Sequence, residues 1–204
     1  MKGALAELDV SWYLFGAQAA LIYGSSRATA DLDLTVHLGQ VTSRQLAAHL
    51  RSSGFRLRFE NVKFVDQTRV LPVVHETTDI AVDLVIAGPG LEQLFLERSV
   101  QRKVGSVVLP VARLEDIVAM KVLAGRAKDK DDIVDILCAN LKGVDLSLIR
   151  STLFQLEEAL DQDDLLRAFE SMLAEAERRV ASKVSGTAAR AKKRTKKPKR
   201  PSGR

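Results

Sequence analysis

The chain has little of the chemistry that would place it in several common classes. It carries one cysteine, Cys138, in 204 residues. That excludes an intrachain disulfide and a cysteine-built zinc cage. Its three histidines, His37, His49 and His75, are scattered and lack zinc-ligand spacing. No apolar run reaches the roughly 18 residues needed to cross a bilayer. The N-terminus has no basic stretch followed by an apolar core and a small-residue cleavage site. A cytoplasmic protein with no membrane partner is therefore expected. There is no internal repeat.

Acid is missing from one end. No Asp or Glu follows Glu177, and residues 178–204 hold 12 of the 31 Lys and Arg. The preceding body has 19 bases against 26 acids, so the net +5 conceals an acidic body and a basic end. The stretch "AARAKKRTKKPKRPSGR" has too few apolar groups to fold. Residues 179–204 are expected to be a disordered basic tail, suited to holding nucleic acid electrostatically.

What is present is an ordinary globular composition, 46% hydrophobic and 28% charged. "WYLF" (12–15) reads as a strand ending at Gly16, and "AQAALIY" (17–23) as a short helix stopped by Gly24. "DLDLTVHL" (31–38) alternates as a strand does. "TSRQLAAHLRSSG" (42–54) is an amphipathic helix with a Thr start and a Gly stop. "FRLRFE", "RVLPVVHE" and "IAVDLVIA" are three further strands. A helical segment near 91–97 and a strand pair in "RKVGSVVLPVA" follow, and helices fill the chain to about 178. The boundaries are an α+β core at 1–112, a helical part of the same domain at 113–178, and the tail at 179–204. Gly88, Pro89 and Gly90 mark a turn, not a phosphate loop.

Two carboxylates stand one residue apart inside an apolar run. Successive strand side chains point to opposite faces, so Asp31, Asp33 and Thr35 share one face while Leu32, Leu34 and Val36 line the other. The same parity sets Asp83 apart from Val82, Leu84 and Ile86. If the two strands are neighbours, three carboxylates converge. Bare acids so close would repel until one protonates. A divalent cation resolves this, because Mg²⁺ takes a few carboxylates together with waters and phosphate oxygens. Asp79 is a reserve carboxylate in a turn. His37 points away from the acids. Cys138, Trp12 and Tyr13 read as packing residues.

Residues 12–38 resemble the opening of the nucleotidyltransferase superfamily that includes DNA polymerase β. "GAQAALIYGSSRATADLDL" looks most like its minimal bacterial branch, the AbiEii abortive-infection toxin type. Gly16 matches the first residue of the family's turn, and Arg27, Thr29, Asp31 and Asp33 match the residues after the helix. Ala17 departs from the usual second Gly or Ser. In the helical half, Lys121 shares a stripe with Leu114, Ile117, Val118 and Val122. Val118, Lys121 and Ala124 fit a family motif, and Arg126 with Asp131 or Asp132 fits the next. Asp132 borders the apolar stripe of Ile133, Ile136 and Leu137, whereas Asp131 pairs with Asp135 on the solvent side, so Asp132 is preferred.

The resemblance implies a nucleotidyltransferase-like mixed β-sheet flanked by helices, followed by a C-terminal helical segment and a disordered basic tail. It implies an enzyme that moves an NMP from an NTP to a hydroxyl acceptor, with Mg²⁺ or Mn²⁺ on Asp31, Asp33 and Asp83. Gly16 and Ala17 would cradle phosphates through backbone N–H groups. Arg27, Thr29, Lys121 and Arg126 would contact the nucleotide. Asp132 would act as general base or orient the acceptor, which would be a tRNA or RNA end or a protein side chain. A toxin role with a cognate antitoxin is implied by analogy. The rival expectations are a metal-dependent nuclease using the same acids and a non-catalytic binding module.

Overall fold

The computed structural model describes residues 1–27, 29–59 and 62–195. Helix α1 (Lys2–Glu7) precedes strand β1 (Ser11–Phe15), and helix α2 (Gly16–Ile22) follows β1 at once. Next come β2 (Leu32–His37), α3 (Ser43–Ser52), β3 (Phe55–Leu57), α4 (Val62–Thr68), β4 (Val70–His75) and β5 (Ala81–Ile86). Helix α5 (Leu91–Arg98) leads to the hairpin of β6 (Val100–Val104) and β7 (Val107–Val111). The remainder is helical: α6 (Leu114–Ala124), α7 (Ala127–Asn140), α8 (Leu146–Leu160) and α9 (Leu165–Thr195).

Local chemistry explains several boundaries. Thr42 and Gln45 form a reciprocal capping box at the start of α3. Gly125, in the left-handed conformation at φ 60, ends α6. Asp145 caps α8 by accepting from the Leu148 N–H at 3.0 Å. Helices α1 and α4 were not expected. Helix α1 has six residues and no side-chain cap, and it is anchored by burial of Ala4 and Leu5, a tertiary effect that sequence periodicity does not show. The strand expected over "FRLRFE" stops at Leu57.

The strands form one seven-stranded mixed sheet in the order β3-β4-β5-β2-β1-β7-β6. Its centre places the chemistry. Strand β2 runs antiparallel to β1 and parallel to β5. The register sets Phe15 opposite Asp33, and Asp33 opposite Asp83. The neighbourhood inferred from alternation is therefore present in the ladder.

The helical half meets the rest of the fold through α6 packed on α2. Leu114, Ile117, Val118, Lys121 and Val122 are all buried, as the stripe requires. So are Glu115 and Asp116. Helix α6 is thus enclosed on more sides than a single stripe indicates, because α2, α7, α8 and α9 all pack on it. The extra acids are paired, Asp116 with Arg98 at 3.2 Å and Glu115 with Arg113 at 2.8 Å. Helix α9 continues to Thr195, so residues 179–195, expected in the tail, are helical; Ala, Lys and Arg are strong helix formers. Residues 196–204 of that expected tail lie outside the described residues. Among the described residues, no helix is long and apolar enough to cross a membrane.

Candidate active site

Strand β1 turns directly into α2 at Gly16, and that turn sits against Asp33. Gly16 has φ +67, and a Cβ placed on it would lie 2.0 Å from Asp33 Oδ2. Only glycine satisfies both the left-handed backbone and the close carboxylate. The turn, Asp33 and the segments around them line a cleft of about 310 Å³.

The cleft is acidic. Asp31, Asp33 and Asp83 all line it. Asp31 lies just before β2 and is exposed, Asp33 is half-buried on β2, and Asp83 is half-buried on β5. Burial pushes the Asp33 carboxyl above its ordinary value; the Asp83 and Asp31 charges add to this, while the Ala17 backbone N–H and Arg126 oppose it. Ala17, expected to present its amide to phosphate, lines the cleft beside Gly16.

The cleft is also basic. Arg27, Lys121, Arg126 and Lys128 line it. Lys121 is buried, so it does not reach out to bulk water. Its ammonium donates to Asp129 at 3.0 Å and to Asp132 at 2.6 Å. Arg126 holds Asp129 with two nitrogens, at 2.5 and 3.2 Å. Asp132 also accepts from Ser25 Oγ at 2.6 Å and Arg27 Nη2 at 3.4 Å. Burial works to raise the Asp129 and Asp132 carboxyls. Hydrogen bonds from Arg126 and Lys121 to the first, and from Lys121 and Ser25 to the second, outweigh it and hold both below the ordinary value. Thr29 lines the cleft too, and its carbonyl accepts from Gln18 Nε2, tying the loop to α2.

All the residues expected at the site line this cleft except Asp132. Asp132 is buried behind Lys121 with its oxygens engaged. A carboxylate so held, with a lowered affinity for protons, is badly placed to accept one from a bound hydroxyl, contrary to the general-base role expected of it. Asp129 was missed, hidden in the charge run "KDKDD". Its spacing from Asp132, Ile133 and Ile136 puts it on the buried face of α7 and was the available signal. Lys128 and Arg58 were also missed. Arg58 Nη1 donates to Asp83 Oδ1 at 2.9 Å. Asp131 is exposed, as expected, while Asp135 accepts from Ser26 Oγ at 2.6 Å. Asp79 pairs with Arg56 at a turn, and His49 pairs with Glu7.

Among the described residues, no trio of His, Cys, Asp or Glu forms a ready-made metal cage. The three acids meet at one cleft as expected, and Arg58 takes one oxygen of Asp83. The donor set still suits a hard cation. It is all carboxylate oxygen, Asp33 carries a surplus of neighbouring negative charge, and Mg²⁺ needs only one or two carboxylates when substrate phosphates complete its shell.

The model of a family described as "Nucleotidyl transferase AbiEii toxin, Type IV TA system" matches residues 1–198. No curated protein matches the chain. Among solved structures, the chain is similar to ANT(2")-Ia in complex with adenylyl-2"-tobramycin. The identity is 13%, the match covers 78% of this chain and 94% of that one, and the TM-score is 0.52. That likeness is one of fold. An antigenic nucleotidyltransferase-like protein from Paracoccidioides brasiliensis matches at 17% identity over 82% of this chain and 88% of that one, with a TM-score of 0.49.

Proposed function

The chain belongs to the AbiEii nucleotidyltransferase toxin family, and from that premise we propose that it transfers an NMP from an NTP to a hydroxyl acceptor in the cleft between Asp31, Asp33, Asp83 and Lys121. The observation that carries this reading is one cleft lined by three carboxylates and four cations. A triphosphate needs cations along its length, and a divalent ion beside it needs carboxylates.

Asp31 and Asp33, joined by Asp83, would hold Mg²⁺ or Mn²⁺, which when bound supplies Lewis-acid stabilisation of the phosphoryl oxygens. Lys121, Arg126, Arg27 and Lys128 balance phosphate charge. Gly16 lets the chain turn beside Asp33, so that the start of α2 approaches the phosphates. The acceptor oxygen forms a bond to the α-phosphorus, the bond to the bridging oxygen of the β-phosphate breaks, and pyrophosphate leaves. Asp83 takes the acceptor proton. Asp129 and Asp132 fix the Lys121 ammonium and stay ionised.

An RNA or tRNA end is the preferred acceptor, because residues 178–204 hold 12 Lys and Arg and no acid. A protein side chain, and an antitoxin as functional partner, are the other roles the family description suggests. The test supplies Mg²⁺, each α-³²P-labelled NTP and either total RNA or a protein lysate. Label on RNA with one NTP, absent from the Asp31→Ala/Asp33→Ala protein, is the expected result. Label on neither acceptor refutes the transfer reading, and label on protein alone refutes the RNA preference.

A further inference from the structure

Arg58 lies just past the end of β3 and is held there by its backbone. Its N–H donates to the Pro72 carbonyl at 2.9 Å. Pro72 stands opposite Asp83 in the β4–β5 register. The Arg58 Cα is therefore anchored two strands away from Asp83, and its side chain lies across β4. Its Nη1 meets Asp83 Oδ1 at 2.9 Å, and both side chains are about one-third exposed, 36% and 34%. Asp31 and Asp33 have no such ion pair among the described residues. Among the described residues, the four cations that line the cleft come from the α2–β2 loop, α6 and the start of α7, so Arg58 reaches the acids from a different part of the fold.

On the reading given above for the cleft, we infer that Arg58 is a positioning residue that occupies Asp83 in the free protein and competes with the divalent cation for its oxygen. Asp31 and Asp33 are open to a cation from the outset, and Arg58 releases Asp83 last. The exposure of the pair makes the exchange easy. An ion pair this wet is weak, so a doubly charged ion displaces it readily. The exchange also leaves a freed guanidinium beside the cleft as the anionic substrates arrive.

A double-mutant cycle tests this without relying on turnover. Mn²⁺ binding is measured by calorimetry on the full chain, for wild type, Arg58→Gln, Asp83→Asn and the double variant, with and without an α,β-methylene ribonucleoside triphosphate. Without nucleotide, Arg58→Gln tightens Mn²⁺ binding about two- to fivefold, the range that the coupling of an exposed pair allows. In the Asp83→Asn background the same change has little or no effect. Loss of folding would weaken binding instead, and Arg58→Lys, which keeps a single-point charge, lies between wild type and Arg58→Gln. An equal gain in both backgrounds would reduce Arg58 to a distant charge and overturn the inference, as would no gain at all. If wild type takes up Mn²⁺ neither with nor without the triphosphate, the metal site itself fails and the inference falls with it.

Discussion

Gly16 offers the sharpest test of how the backbone serves the site. Replacing it with alanine does two separable things. An L-residue at φ +67 pays the left-handed penalty, about 1–2 kcal/mol. The new Cβ would also sit 2.0 Å from Asp33 Oδ2 and 2.7 Å from its Cγ. Ordinary contact is about 3.5 Å, so the carboxylate must retreat by about 1.5 Å. A misplacement of about 1 Å in reacting groups costs about a hundredfold in rate. Gly39 supplies the control. It has φ +57 and nothing within 4 Å of its Cβ position, so Gly39→Ala carries the backbone penalty alone. Both variants are expected to melt lower, by about 2–4 °C per kcal/mol lost. Only Gly16→Ala is expected to lose NMP transfer and Mn²⁺ binding, by about a hundredfold or more in transfer. If Gly16→Ala kept transfer within a few-fold of wild type, or if Gly39→Ala lost it equally, Gly16 would not be what places Asp33.

Further outcomes follow from the buried charges. Lys121→Met leaves Asp129 and Asp132 buried without their shared cation; Arg126, Arg27 and Ser25 still hold them, so the expected loss is about 3 kcal/mol in urea unfolding, and a loss below about 1 kcal/mol would contradict the network. Asp116 has its carboxyl raised to about 6, by burial first, against the opposing charge of Arg98 and with help from Glu115. An acid with a folded-state pKa above its unfolded one binds more protons when folded, so its contribution falls as pH climbs from about 4 to 6, by about 3 kcal/mol in total. Stability measured across that window should show the descent in wild type and lack it in Asp116→Asn. Ala17→Ser restores the hydroxyl that the family's turn commonly carries. Nucleotide binding should tighten about three- to tenfold in calorimetry with no change in melting temperature, and an unchanged affinity would show that this position does not face phosphate.

The acidic cluster was legible in the sequence for a simple reason. Strand alternation fixes which side chains share a face, so Asp33 and Asp83 could be paired before their strands were known to be neighbours. Gly16 was legible as a turn, but its close approach to Asp33 depends on the β1–β2 register and could only be seen in space. The lysine on the α6 stripe was legible as an anomaly. Its partners were harder, because all five residues of "KDKDD" are charged; spacing along α7 separated Asp132 from exposed Asp131, but the run hid buried Asp129. The choice of Asp132 over Asp131 found the buried acid but not its role, since burial behind Lys121 is a property of two packed helices. Arg58 was illegible. It lies where a strand was expected to continue, and it meets Asp83 across an intervening strand. Helix α1 was missed because a six-residue helix has too short a period to read.

The most direct measurement is anomalous diffraction from crystals of the full chain grown with Mn²⁺ and an α,β-methylene ribonucleoside triphosphate. The expected result is manganese between Asp31 and Asp33, with the triphosphate running toward Lys121 and Arg126. Manganese or nucleotide bound elsewhere, with the carboxylates of this cleft untouched, would contradict it.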